Sequence, residues 1–395
     1  MNMSMYIDDT IVDEEPNEPE QRNDGIEIEP TLKGGFVVNN PDTEINLEVN
    51  GVVVGAGNNL YQGGMKDYTN KGSERGFDRV LTSPAMQIRL DAPDLEALRR
   101  RKGIKGANDT YEIITPIHAN DKCIISHAVG IDTGRNVVVK QYRDERFFKH
   151  ELTINGILNP DAEHESILLA DEFIENNRGM FSVSRYIDGG DLQQVLERFG
   201  KLSPLECMSI FPSICDALEY MHGKGVVHRD IKAANILVES LDENSPGIQR
   251  EMFLSRIGRV SPKVIDYDIA WHRLVADPVP VGAVCGTVSY MSPQVYVGEI
   301  DPRNDIFAAG IVLYFMLTLK HPFNIKPTEH ALIAYKRMKE EPVSNPSDDN
   351  PNVTKKLSEV VMTAIAKSHE ERYQSARELK DAFLDAMKDY YFLMQ

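Results

Sequence analysis

The stretch Val-Val-His-Arg-Asp-Ile-Lys-Ala-Ala-Asn-Ile-Leu-Val at residues 226–238 limits what this chain of 395 residues can become more than any other feature. It sets His228, Arg229, Asp230, Lys232 and Asn235 in the order H-R-D-x-K-x-x-N. Those residue types at that spacing suit phosphoryl transfer. An aspartate orients an attacking hydroxyl and takes its proton, a lysine two residues on neutralises a γ-phosphate, and an asparagine one short loop later ligates Mg²⁺. The apolar Ile236, Leu237 and Val238 then read as a strand leaving the loop.

Further signals follow in a fixed order. Val264-Ile265-Asp266-Tyr267-Asp268 is a hydrophobic strand ending in an aspartate. Gly286-Thr287 and Tyr290-Met291-Ser292-Pro293-Gln294 come next, and Asp305 opens an apolar-dominated helix from Ile306 to Leu319 that is too short for a membrane span. Upstream, Val137-Val138-Val139-Lys140 reads as a strand, with Glu151 on the helix that follows. Over roughly 111–390 this series resembles the eukaryotic-type protein kinase superfamily, with its V-A-I-K, H-R-D-x-x-x-x-N, D-F-G and G-T-x-x-Y-M-A-P-E motifs. Lys232 is the serine/threonine-type choice at its position.

The resemblance implies an α+β fold of two lobes. A small N-lobe (111–184) would hold a five-stranded antiparallel sheet and one main helix, and a larger C-lobe (188–390) would be helical. It implies ATP and Mg²⁺ as cofactors. Ile117, Ile125 and Val138 would cover the adenine, Leu237 would floor it, and hinge backbone at Arg185 and Ile187 would bond it, beside Ser184 at the gatekeeper position. Lys140, tethered by Glu151, would contact the phosphates; Asn235 and Asp266 would hold the metal; Asp230 would act as base with Lys232 beside it. The implied function is transfer of the ATP γ-phosphoryl group to a serine or threonine hydroxyl of a protein. The alternative is a pseudokinase, a binding or scaffold module with weak or no nucleotide binding.

Departures from the family pattern keep that alternative open. The three positions of the phosphate-clasping glycines fall on His118, Asn120 and Cys123, where side chains hinder close approach of backbone N–H groups to phosphate. Val138 replaces the alanine that roofs the adenine, and Gln294 replaces a glutamate expected to pair with Arg372. Asp268 stands in place of the D-F-G glycine, which costs backbone freedom and adds a carboxylate near the metal site. Asn155 is polar where the family packs an apolar side chain against Tyr267 and His228. No Ser, Thr or Tyr lies between Asp268 and Gly286, so Arg229 has no phosphate partner there. Asp277 is the carboxylate available to it, against the alternative that Arg229 bonds only to carbonyls.

Outside 111–390 the chain is less informative. Residues 1–30 hold ten acidic side chains against Arg22 alone, half of the net charge of −18, and residues 1–32 read as an acidic disordered tail. That charge excludes general nucleic-acid binding. Residues 33–110 form an extended segment with short strands at 36–38, 45–49 and 52–54 and a helix at 91–103 ending in Arg99, Arg100, Arg101 and Lys102. Residues 240–259 read as an insertion in a C-lobe loop. The extension and the insertion are the two places for a protein substrate or scaffold partner to dock; the oligomeric state is open. Ser203-Pro204-Leu205-Glu206 reads as a capping box that starts one long helix to His222. Four scattered cysteines, Cys123, Cys207, Cys215 and Cys285, without C-x-x-C spacing, point to reduced thiols and a cytoplasmic setting.

Overall fold

The structure, a computed structural model, describes residues 103–159, 164–240, 260–279, 285–326 and 329–393, together with four short strands nearer the N-terminus. Those four strands form two antiparallel hairpins. β1 (Ile28–Pro30) pairs with β2 (Phe36–Val38), and β3 (Ile45–Val49) pairs with β4 (Val52–Ala56). The strands expected at 36–38, 45–49 and 52–54 are present, and part of the expected tail is strand as well. The helix expected at 91–103 and the insertion at 240–259 fall almost wholly outside the described residues.

The N-lobe sheet has six strands, one more than the sequence implies. They are β5 (Ile104–Lys105), β6 (Thr110–Ala119), β7 (Cys123–Gly130), β8 (Asn136–Tyr142), β9 (Glu172–Asn176) and β10 (Gly179–Arg185), in the order β5-β6-β7-β8-β10-β9. The extra edge strand comes from just before residue 111. Ile104 drops into the core beside Tyr111, Val139 and Phe181, which is reason enough for that short segment to pair. β8 alternates: Val137 and Val139 fill this core, while Val138 and Lys140 share the opposite face. Ile125 and Ser184 lie across from Lys140 and Val138 on the neighbouring strands and so share that face.

Helix α1 (Glu145–Leu158) follows β8. Asp144 caps it by accepting from the Arg146 amide at 2.9 Å, and Phe147, Phe148, His150, Ile154 and Leu158 are buried. Asn155 turns out to serve the backbone. Its carboxamide donates to Ala170 O at 3.2 Å and accepts from Ala170 N at 3.0 Å, so the helix register holds and the polar side chain is satisfied.

The C-lobe begins with β11 (Gly189–Asp191) and α2 (Leu192–Phe199). The long helix expected from 204 to 222 is broken. α3 (Pro204–Cys207) has the Ser203–Glu206 capping box, and α4 (Phe211–Gly223) starts afresh after Ile210. Pro212 is the cause: it has no N–H to give, and its ring would strike the carbonyl four residues back. α5 (Pro302–Thr318) runs through the middle of the lobe with nearly every residue buried, and it carries Asp305 inside. α6 (Ala331–Glu340), α7 (Lys355–Ala364) and α8 (Ala376–Leu393) complete the lobe, and Phe211 on α4 meets Phe383 on α8 at 5.0 Å between ring centroids. Among the described residues no helix is long and apolar enough to cross a membrane.

Candidate active site

The loop from Val226 to Asn235 is held from below by one buried carboxylate. Asp305 accepts from His228 N at 2.8 Å and Arg229 N at 2.9 Å, and it bonds His222 Nε2 at 2.9 Å. An aspartate set directly before a long apolar run was the sequence signal for this, since a buried charge must be paired. The grip holds Arg229 in the left-handed region at φ 66°. Gly286 faces this bend at φ +112°, where an added Cβ would lie 2.6 Å from Arg229 O. Gly286→Ala is expected to cost about 1–3 kcal/mol through backbone strain alone, read as a lower urea midpoint at unchanged slope.

Asp230 is fully engaged. Thr287 donates to Oδ1 from its amide at 2.9 Å and from its hydroxyl at 2.7 Å, while Oδ2 accepts from Lys232 Nζ at 2.7 Å and Asn235 Nδ2 at 3.0 Å. Lys232 also reaches Thr287 Oγ1 at 3.0 Å. The Asn235 amide nitrogen donates to Asp230 O at 2.8 Å as well, so its amide oxygen is the atom that can meet a cation. Asp266 sits nearby at φ 70°, another strained non-glycine position. A carboxylate and an amide oxygen are hard donors, the set that Mg²⁺ takes, so the residues present fit the metal.

Lys140 lies among three carboxylates. Its ammonium donates to Glu151 Oε2 at 2.8 Å, to Asp266 Oδ1 at 3.4 Å and, more closely, to Asp268 Oδ1. Burial favours the neutral amine, but Asp268, Glu151 and Asp266 outweigh it and hold the pKa well above that of an ordinary lysine. Burial also opposes ionisation of Asp266, yet Lys140 and Lys232 keep its pKa below the usual carboxylate range. Asp268 goes the other way. Burial, with the Asp266 charge beside it, raises its pKa well above that range, and it shares a hydrogen bond with Glu151. Among the described residues Asp268 is not a positive-φ position, so the aspartate stands there without left-handed strain. The expected added carboxylate is there, but its partner is Lys140.

The hairpin at 118–125 shows what replaces the glycines. Asn120 Oδ1 accepts from the amides of Lys122 at 2.9 Å and Cys123 at 2.8 Å, and Asn120 N donates to Cys123 O at 3.0 Å. The turn is a side-chain-closed loop, an asparagine device rather than a glycine one. Of the residues the resemblance gives to the adenine, Ile117 (36% exposed) lies on β6, Ile125 on β7, Val138 on β8 and Ser184 on β10, Arg185 ends β10, the buried Ile187 follows it, and Leu237 lies on β12 (Ile236–Ser240) of the C-lobe.

The segment after Asp268 is tied down twice. Arg229 bonds Asp277 in bidentate fashion, both contacts 2.8 Å, and also donates to Ile269 O at 2.5 Å. His150 on α1 sets its two ring nitrogens against Ala270 O at 2.7 Å and Ala276 O at 3.1 Å. Ile269, Val279 and Cys285 pack on Phe147 and Phe148 of the same helix. Sequence reasoning missed His150 entirely. Further down, Arg372 donates to Gln294 Oε1 at 2.7 Å, the neutral-to-charged bond expected there.

Residues 123–384 match the protein kinase domain family. The chain belongs to the protein kinase family. The kinase domain is 32% identical over 283 residues to a probable serine/threonine-protein kinase of Streptomyces coelicolor, covering 68% of this chain and 39% of that protein. It is 33% identical over 205 residues to the serine/threonine-protein kinase PknB of Mycobacterium leprae, covering 51% and 29%. It is 31% identical over 291 residues to a probable serine/threonine-protein kinase of Corynebacterium efficiens, covering 69% and 40%. The chain thus spans no more than about two fifths of the length of these relatives.

Proposed function

We propose that this kinase domain moves the γ-phosphoryl group of ATP, bound with Mg²⁺, onto a serine or threonine hydroxyl of a protein substrate. The observation that carries it is the Asp230 carboxylate, aimed and held by Thr287, Lys232 and Asn235. In this reading the substrate oxygen bonds to phosphorus as the bond to the ADP oxygen breaks, and the hydroxyl proton passes to Asp230. Bound Mg²⁺ supplies charge neutralisation on the phosphates, with Asn235 and Asp266 as its ligands. Lys140, tethered by Glu151, serves the phosphates, and Lys232 lies where charge develops in transfer. Ile117, Ile125, Val138 and Leu237 would hold the adenine against hinge backbone at Arg185 and Ile187, with Ser184 behind it.

The pseudokinase reading is not favoured, because each residue whose loss would end transfer is present. The four cysteines are unpaired and buried, which supports a reducing, cytoplasmic setting. The N-terminal extension and the 240–259 insertion are proposed docking sites for the substrate or a scaffold partner.

Nucleotide binding is expected to be weak and metal-dependent, with a Kd of about 100 μM or weaker, roughly −5.5 kcal/mol. Calorimetric titration with ATP and Mg²⁺, beside the Asp266→Asn variant, tests it. A low-micromolar constant, or one indifferent to Mg²⁺ or to Asp266, rejects this expectation. Phosphate transfer to a generic protein substrate tests the function itself.

A further inference from the structure

Two groups that would bond the nucleotide phosphates are already bonded by oxygens of this chain. The first is the hairpin tip. Its Lys122 and Cys123 amides both point at Asn120 Oδ1, at 2.9 and 2.8 Å. A carbonyl oxygen accepting two successive backbone N–H groups does what a phosphate oxygen would do there. The second is Lys140. An ammonium has three N–H donors, and three carboxylates surround this one, Glu151, Asp266 and Asp268. Glu151 on α1 tethers the lysine and Asp266 belongs to the metal. Asp268 has no such task, bonds the ammonium directly, and occupies its place with no left-handed backbone strain.

The two contacts come from elements far apart in sequence, the tip between β6 and β7 and the segment that follows Asp266. Both replace glycines in the family pattern. A glycine at 120 or at 268 has no side chain to do this.

We propose that Asn120 and Asp268 are built-in phosphate surrogates that cap the nucleotide site, so that ATP binds by displacing them and ADP leaves as they return. The inference rests on the kinase reading. It goes beyond weak binding, because it assigns the weakness to two competing contacts and not to lost affinity elsewhere.

The test measures Mg–ATP and Mg–ADP affinity calorimetrically for wild type, Asn120→Gly, Asp268→Gly and the double variant. Each single change is expected to tighten both nucleotides about three- to tenfold, a modest hydrogen-bond-sized effect, and the double variant is expected to exceed either alone. Wild type binding as tightly as all variants overturns the proposal. So does weaker binding by Asp268→Gly, which would make Asp268 a metal ligand. A second measurement needs no nucleotide: amide hydrogen exchange at Lys122 and Cys123. These amides are expected to exchange at least about tenfold more slowly in wild type than in Asn120→Gly, and equal rates overturn the tip cap. If no form of the protein binds nucleotide, the kinase reading fails, and the displacement proposal fails with it even where the exchange result stands.

Discussion

Asp230→Asn is expected to lower kcat by about 10²–10⁴-fold, the usual worth of a positioned general base, while leaving Mg–ATP affinity within about twofold. The asparagine keeps the size of the side chain and can still accept from the Thr287 hydroxyl, now 2.7 Å from Oδ1. What it loses is the charge that pairs with Lys232 and the basicity that takes a proton. Radiolabel transfer from ATP to a generic protein, followed beside calorimetric ATP binding, separates the two effects. Equal transfer by the variant would mean that the activity belongs to a contaminant. Loss of binding in step with transfer would mean that Asp230 holds the loop and not the reaction.

The second large effect is expected at Asp277. Its bidentate bond to Arg229 closes the segment that many kinases close with a phosphate, and no hydroxyl side chain lies between Asp268 and Gly286 to accept one. Arg229 is nearly buried, and Asp277 keeps about a fifth of its side chain exposed. Removing the carboxylate leaves the guanidinium with Ile269 O as its remaining neighbour among these contacts. Breaking a fully buried pair costs about 3–5 kcal/mol. With partial exposure, Asp277→Ala is expected to cost about 2–4 kcal/mol, a fall of roughly 5–10 °C in Tm for a domain of this size. Asp277→Glu is expected to recover part of the loss. An unchanged melting temperature would reject the built-in carboxylate as a structural partner. The same geometry predicts that treatment with a phosphatase leaves transfer unaffected by way of this segment.

The His150 contacts show how this pair reaches the lysine. His150 precedes Glu151 on α1 and meets Ala276 O, one residue before Asp277. The segment, the helix and the Glu151–Lys140 pair are therefore one connected assembly. Burial lowers the His150 pKa below the ordinary histidine value despite the two carbonyls.

Much of this was legible before the structure. The order of the motifs carried the two lobes, the His228–Asn235 loop and the lysine–glutamate pair, because phosphoryl transfer allows few alternatives to those types at those spacings. The Gln294–Arg372 bond was equally readable. Pro212 was in plain sight, and its helix break follows from local sterics alone. Other decisions depended on what was brought close in space. Asn155 looked misplaced in sequence and was resolved by a backbone segment 15 residues on, at Ala170. His150 carried no signal, since its partners are two carbonyls more than 100 residues away. Asp277 had two readings in sequence, and the fold chose the pairing with Arg229.

The sequence by itself determined that this chain is a kinase domain with its chemical residues intact, because those residues are read by type and spacing. Only the tertiary structure decided what fills the positions of the missing glycines. Asn120 turns back on its own hairpin and Asp268 reaches Lys140. Whether a side chain obstructs, caps or ligates depends on which donor lies within about 3 Å of it; for Asn120 the donors are amides of its own turn, and for Asp268 the donor is a lysine 128 residues away that only packing between the lobes brings close.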